Sequence, residues 1–309
     1  MNQSAYREFC KNVPDLPVFV QDWYLDAVCK DGTWDAAVVS ENGLTVGVLP
    51  YFLKRKYGFS YITMPLFVKH MGPFLLPEKR ELKHENRIYG ELISRLPKID
   101  GFKQDFHPSA ANWLPFFWAG YRQTTRYTYR LDIRDADRVY DGINRNMRRN
   151  IRHAETLLQV DSSGTPEDLY RLNRMSFDRK GLQLPYSLDQ FLAHDEALAR
   201  QQARQLFFAR DAEGRLHSAA HLIWDRTTAY YHIAGDNPEL RQSGSGILLT
   251  WRAIQFAADT LKLPVFDFEG SMLPEVENIR RQFGGRQTPY SRVWKDHSPL
   301  FRLLNAIRP

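Results

Sequence analysis

Cysteine is nearly absent. Cys10 and Cys29 are the only two in 309 residues, which excludes a disulfide framework and a cysteine-built zinc site. Also missing are the H-E-x-x-H motif of a metalloprotease and the G-x-S-x-G turn of a serine hydrolase. No apolar run approaches the roughly 20 residues that a membrane-spanning helix needs. The opening residues, MNQSAYREFCKNVPDLP, carry neither the basic start nor the apolar stretch of a secretory signal. Together these absences predict a cytoplasmic, metal-free protein without a transmembrane segment.

Core-forming material is plentiful, with 43% hydrophobic and 13% aromatic residues. Disorder therefore does not dominate, and the length suits one large or two medium domains. The formal net charge of +6 is compatible with a phosphate-rich cofactor, RNA or a membrane face. It names none of them.

The first third reads as a helix over 22–29, then a hairpin of strands 34–39 and 44–53 around Glu41-Asn42-Gly43. A helix over 79–96 stops at Pro97. A strand (102–106), a short helix (112–118) and a long strand (121–133) follow. The second half opens with a basic helix over 141–158. Thr165-Pro166-Glu167-Asp168 then supplies an N-cap, a proline at the first helical position and acids in the first turn of a helix over 165–179. A third helix covers 190–202. Strands at 205–210, 216–224 and 228–235 form a meander. The chain closes with a helix to about 261, a strand over 265–269, a helix over 274–283 and a strand over 289–295. The two halves end alike: Phe102 and Phe266, and Arg122-Gln123-Thr124 and Arg286-Gln287-Thr288, recur at one common offset. Strand, helix, glycine turn and strand repeat in the same order, which points to duplication of one α/β unit.

Between the meander and its following helix lies RQSGSGILLTW, from Arg241 to Trp251. Arg241, Gln242, Ser243, Gly244, Ser245 and Gly246 fit R-x-x-G-x-G. Free N–H groups and the dipole at a helix start favour an anion, and glycines let the backbone approach a diphosphate. Read alone, the motif fits a plain glycine-rich turn as well. The strand–loop–helix–strand order favours the cradle.

This loop and its context resemble the pyrophosphate loop of the GNAT acyltransferases. The whole chain resembles the FemAB-like members of that superfamily, which are built from two GNAT-like halves. NRNMRRNIRHAETLLQV is similar to their basic helix, FDFEGSM and RRQFGG to their D-F-x-G strand and F-G-G turn, and DWYLDAVCKDGTWDAAVV with VGVLPYFLKRKYG to their first half. The resemblance implies an α/β fold of two halves, 1–135 and 136–309. Each would be a mixed, mostly antiparallel sheet flanked by helices, with the active site in the second. It implies acyl transfer to a small-molecule or lipid-linked amine. The donor would be acetyl-CoA or another acyl-CoA, or an aminoacyl-tRNA; an inert binding protein on the same fold is the remaining alternative. The long heptad insertion of the cell-wall ligases is missing, and DNA is not an expected partner.

Acyl transfer to an amine needs a base, a polarised carbonyl and a donor held in line. On the strand VFDFEG, Asp267 and Glu269 share one face by alternation. They are candidates to orient an ammonium and accept its proton, or else residues that satisfy backbone donors and meet solvent. His232 suits proton relay or a place in the core. The resemblance puts the carbonyl-polarising amide around 233–235. Tyr290 is a candidate to protonate a thiolate or to pack. Arg145, Arg148, Arg149 and Arg152 make a basic stripe at i, i+3, i+4 and i+7, with His153 beside it. The stripe suits phosphates, an acidic substrate or solvent. By resemblance alone, Arg179, Lys180 and Tyr186 lie near an acceptor site; Arg148 of the basic stripe is a further candidate substrate contact. The amphipathic segment FRLLNAIRP is expected to dock on the domain.

Overall fold

The structure is a computed structural model that describes residues 2–270 and 272–307. Ser271 of FDFEGSM, and Arg308 and Pro309 of FRLLNAIRP, lie outside the described residues. The chain divides into two compact units. One runs to Arg126 and resumes at Pro289; the other spans Tyr127–Thr288.

The first unit starts with α1 (Gln3–Asn12) and α2 (Asp22–Val28), followed by the hairpin β1 (Thr33–Glu41) and β2 (Leu44–Lys56). Asn42 and Gly43 turn it with φ of 50° and 81°. That is the left-handed pair a tight two-residue hairpin turn requires. Next come β3 (Phe59–Thr63), β4 (Phe74–Leu75), α3 (Leu82–Ser94), β5 (Gly101–Asp105), α4 (Leu114–Trp118) and β6 (Arg122–Asp132), which runs on into the second unit. The sheet order here is β1-β2-β3-β5, with β4 beside β2. Periodicity gave no sign of α1, yet its Tyr6 and Phe9 are fully buried.

The second unit holds α5 (Ala136–Gly142), α6 (Arg145–Leu157), β7 (Gln159–Asp161), α7 (Pro166–Asp178) and α8 (Leu188–Arg200). It continues through β8 (Arg204–Arg210), β9 (Leu216–Trp224), β10 (Thr228–Asp236), α9 (Ser245–Gln255), β11 (Val265–Asp267) and α10 (Pro274–Gln282). The chain ends with β12 (Arg286–Asp296), most of which lies in the first unit, and α11 (Pro299–Ile307). Residues 292–296 of β12 pair antiparallel with β5. That ladder draws the last strand and α11 into the first unit, where the sequence reading kept 136–309 together.

The sheet of the second unit runs β6-β11-β10-β9-β8-β7. Only β10 and β11 run parallel; β6–β11, β10–β9, β9–β8 and β8–β7 are antiparallel. Its core gathers Tyr129 and Leu131 of β6, Met147 and Ile151 of α6, and Leu248 and Ile254 of α9.

Two sequence expectations change. The helix expected over 141–158 starts only at Arg145, as α6, with α5 preceding it, because Asn144 caps the new start by accepting the Asn146 N–H at 2.9 Å. The strand expected over 265–269 ends at Asp267. Glu269 and Gly270 both take left-handed φ, 57° and 65°, and turn the chain away.

Candidate active site

Parallel strands β10 and β11 stay paired only from Thr228↔Val265 to Tyr230↔Asp267. Beyond Tyr230, β10 runs on to Asp236 beside β9 alone, so the two strands part. A register shift between Tyr231 and Ile233 leaves His232 as an extra residue on β10, a bulge of the kind that re-aims a side chain. Past the bulge, Asn173 Nδ2 of α7 donates to Ala234 O at 2.7 Å, and the Asp236 N–H donates to Ser176 Oγ at 2.9 Å. Gly235 permits this approach: a Cβ there would lie 2.2 Å from the Asn173 backbone nitrogen.

A cleft of ≈ 570 Å³ opens at this point, within the usual range for a ligand site. Ala234, Gly235 and Asp236 form one wall, and Gly244, Ser245 and Gly246 another. Gly244 takes φ 76° and stands as N-cap of α9 without a side-chain cap. The first-turn N–H groups of this helix therefore have no side-chain acceptor at the cap, and its dipole points a partial positive charge into the cleft. A Cβ added at Gly246 would meet no atom within 4 Å, so the space over the first turn is open. Behind it, Ser245 Oγ lies 2.5 Å from Ser218 Oγ. Ser243 is held by His217 Nδ1 at 2.9 Å, while His217 Nε2 meets Asp211 Oδ2 at 2.9 Å. This chain of bonds anchors the loop. The bond to His217, together with Arg215, holds the Asp211 carboxyl well below the usual carboxylate range.

Of the loop residues, Arg241 lines the cleft and pairs through Nε with Asp236 Oδ2 at 2.6 Å. Gln242 is exposed and outside the lining. Arg179 and Lys180 line the cleft. Tyr186 stands behind it and donates to Asn173 Oδ1 at 2.6 Å, so it braces the residue that holds β10. Burial pushes its hydroxyl pKa up. Arg148 is outside the lining, ion-paired to Asp141 at 3.4 Å and stacked 5.8 Å over Tyr140.

The two carboxylates part company. Asp267 is fully buried. It accepts from Thr128 Oγ1, from Arg130 Nε at 2.7 Å and from the Glu269 N–H at 2.8 Å, which corrects the expectation that it shares an open face with Glu269. The left-handed turn at Glu269 breaks the alternation on which that expectation rested. Burial opposes the charge of Arg130, and Asp267 outweighs it, so the guanidinium sits above its ordinary pKa. Glu269 meets His232 instead, with Oε1 2.6 Å from Nδ1. Tyr290 lies in the first unit, against His70 at 4.6 Å, and accepts from Arg126 Nε at 3.3 Å.

Two features escaped the sequence reading. His232 packs against His194 of α8 and His221 of β9, with centroids 5.1 and 6.1 Å away; His194 and His221 are 5.6 Å apart. Burial, reinforced by the neighbouring rings, lowers the His194 pKa. Burial likewise lowers that of His221, against the pull of Asp195. No group of three His, Cys, Asp or Glu among the described residues is placed to hold a metal ion. The second feature is Arg280 of α10, which lines the cleft. Its guanidinium sits 5.0 Å from the Phe268 ring centroid and 5.8 Å from that of Tyr231, and its shielded Nε has no hydrogen-bond partner among the described residues. Burial lowers its pKa, opposed by Tyr231, Glu269 and Asp267. RRQFGG contained this arginine, but spacing could not tell it from a surface charge.

No described helix is long and apolar enough to cross a membrane. Residues 143–275 match the acetyltransferase (GNAT) domain family. No curated protein matches the chain in sequence. Among solved structures, FemX is similar at TM-score 0.71 and 14% identity, over 98% of both chains. The C-terminal domain of a putative lysylphosphatidylglycerol synthetase from Agrobacterium fabrum is similar at TM-score 0.60 and 10% identity, over 99% of this chain and 96% of that one. A tandem GNAT protein of the clavulanic acid pathway reaches TM-score 0.51 at 13% identity, over 94% and 92%. The second unit thus carries a match to the acetyltransferase (GNAT) domain family, and the chain shares the fold of FemX over nearly its full length.

Proposed function

We propose that the protein is an N-acyltransferase that takes its acyl group from a phosphate-bearing thioester of the CoA type and passes it to an amine. The observation that carries this reading is the open helix start of α9 in the wall of a cleft that also holds Arg179, Lys180, Arg241 and Arg280. One diphosphate fits that start, where N–H groups and the dipole act together.

In this reading the acceptor enters as an ammonium, and Glu269, which with His232 stands outside the cleft lining beside Arg280, takes its proton. The freed amine attacks the thioester carbon; the C–N bond forms, the nitrogen loses its second proton to solvent, the C–S bond breaks, and the thiolate leaves and takes a proton from solvent. Arg280, shielded over two aromatic rings, balances the negative charge that develops on the carbonyl oxygen, where a low local dielectric makes a fixed cation most effective. Asp267 acts only by fixing the Glu269 backbone.

A second reading has one observation in its favour. Arg145 and Arg149 of α6 are exposed, and α6 packs beside the loop, with Asn150 O 3.8 Å from a Cβ built on Gly244. This basic face, with the FemX likeness, supports an aminoacyl-tRNA donor. Melting curves with CoA, acyl-CoA and bulk tRNA at two salt concentrations test both. CoA ligands at a hundredfold over Kd should add roughly 2.7 kcal/mol to the native state. A flat response to them beside a steeply salt-dependent tRNA effect would replace the first reading with the second.

A further inference from the structure

No apolar residue of helix α10 is buried. Its polar side is settled by the Arg281–Glu277 ion pair at 3.1 Å and the Arg281–Asn278 bond at 3.1 Å. Its apolar side is Leu273, Val276 and Ile279, at i, i+3 and i+6, and all three line the cleft. Leu273 is 51% exposed and Ile279 39%. Phe177 of α7 and Leu182, 54% exposed, line the same cleft. A short helix gains its stability from burying such a face. Here that face borders the cleft, and the occupant of the cleft would bury it.

Charge narrows the occupant. Arg179, Lys180 and Arg280 line the cleft among these apolar side chains, and its one acidic lining residue, Asp236, is paired with Arg241. An apolar wall fringed by cations suits a molecule with a hydrocarbon chain and an anionic head. The open start of α9 in the same cleft suits the head. We infer that the donor's acyl group is a medium- or long-chain hydrocarbon seated against Leu182, Leu273, Val276 and Ile279. This inference rests on the reading of the cleft as a donor site.

The inference predicts a chain-length series. Each buried methylene should tighten binding about fourfold, the equivalent of ~0.8 kcal/mol, until the chain outgrows the cleft. Calorimetry with CoA and with acetyl-, hexanoyl-, decanoyl- and tetradecanoyl-CoA should show that rise and a plateau. Leu182→Asp and Ile279→Asp change exposed residues, so Tm and circular dichroism should hold. Both should flatten the series while free CoA binds as before. Equal affinity for acetyl- and decanoyl-CoA would overturn the inference and leave the CoA donor standing. If no CoA ligand binds, ethyl, hexyl and decyl phosphate give an independent series. A rise with length there keeps the apolar seat and discards CoA, and a flat line discards both. Alkylamines that show the slope in place of acyl-CoAs would move the chain to the acceptor and overturn the inference. A dimer in gel filtration that Ile279→Asp dissolves would assign this face to a second copy and overturn the acyl seat as well.

Discussion

Glu269 Oε1 lies 2.6 Å from His232 Nδ1, and the contact joins a bulged residue of β10 to a residue held in left-handed backbone just past β11. Both strands deliver their groups where they cease to pair, so the couple sits at the root of the splay. The bond orients the carboxylate and leaves its second oxygen for a proton. Glu269→Gln keeps shape and size. If the carboxylate is the base, kcat should fall by about 10²–10⁴-fold, with Tm nearly unchanged. Near-normal turnover in a folded variant would move the base elsewhere.

Gly246→Val tests the cradle. A Cβ added at this position meets no atom of the described residues within 4 Å, and Gly246 is in the first turn of α9 rather than in left-handed backbone. The fold should therefore tolerate the change, at the modest helix-propensity cost of a β-branched residue. The isopropyl group would fill the space proposed for the diphosphate. Affinity for CoA should drop at least tenfold by calorimetry. Unchanged affinity in the folded variant would remove the donor from this helix start.

The hairpin β1–β2, the capping box of α7 and the meander β8–β9–β10 were legible because local chemistry dictates them: Asn42-Gly43, Thr165 with Asp168, and alternating apolar residues. The helix start after R-x-x-G-x-G was legible too, and there Gly244 takes a positive φ. The pairing of Glu269 with His232 was not. It depends on a bulge and a left-handed turn, which no alternation rule shows. The cluster of His194, His221 and His232 draws on one helix and two strands, so nothing in their spacing marks it. Arg280 looks like any surface arginine until Phe268 and Tyr231 close over it.

Asp267→Asn should act on stability. The carboxylate is fully buried against Arg130 and Thr128, and removing one partner of a buried pair leaves the other charge uncompensated. Losses of about 3 kcal/mol are typical. Urea unfolding should show a lower midpoint with an unchanged slope. Any fall in turnover should track displacement of Glu269, whose N–H this carboxylate holds. A variant as stable as the parent would mean that Arg130 finds solvent or another acceptor.

The histidine cluster sets the response to acid. His194 and His221 both have pKa values lowered from the ordinary 6.5 by burial. The folded state therefore binds fewer protons than the unfolded state once pH falls below about 6.5. The stabilisation from keeping the two rings neutral is present in full above that pH. It is lost progressively as pH drops toward their folded values, because the unfolded chain takes up protons first. Asp195 favours a charged His221 and Arg204, 3.1 Å from Asp195, opposes one, while Glu269 faces the cluster at His232. Urea unfolding between pH 7.5 and 5 should show stability falling with acid. His194→Gln should shallow that fall, because it removes one group that must stay neutral in the fold. If the variant keeps the parent's full acid slope, His194 is not among the groups that produce it.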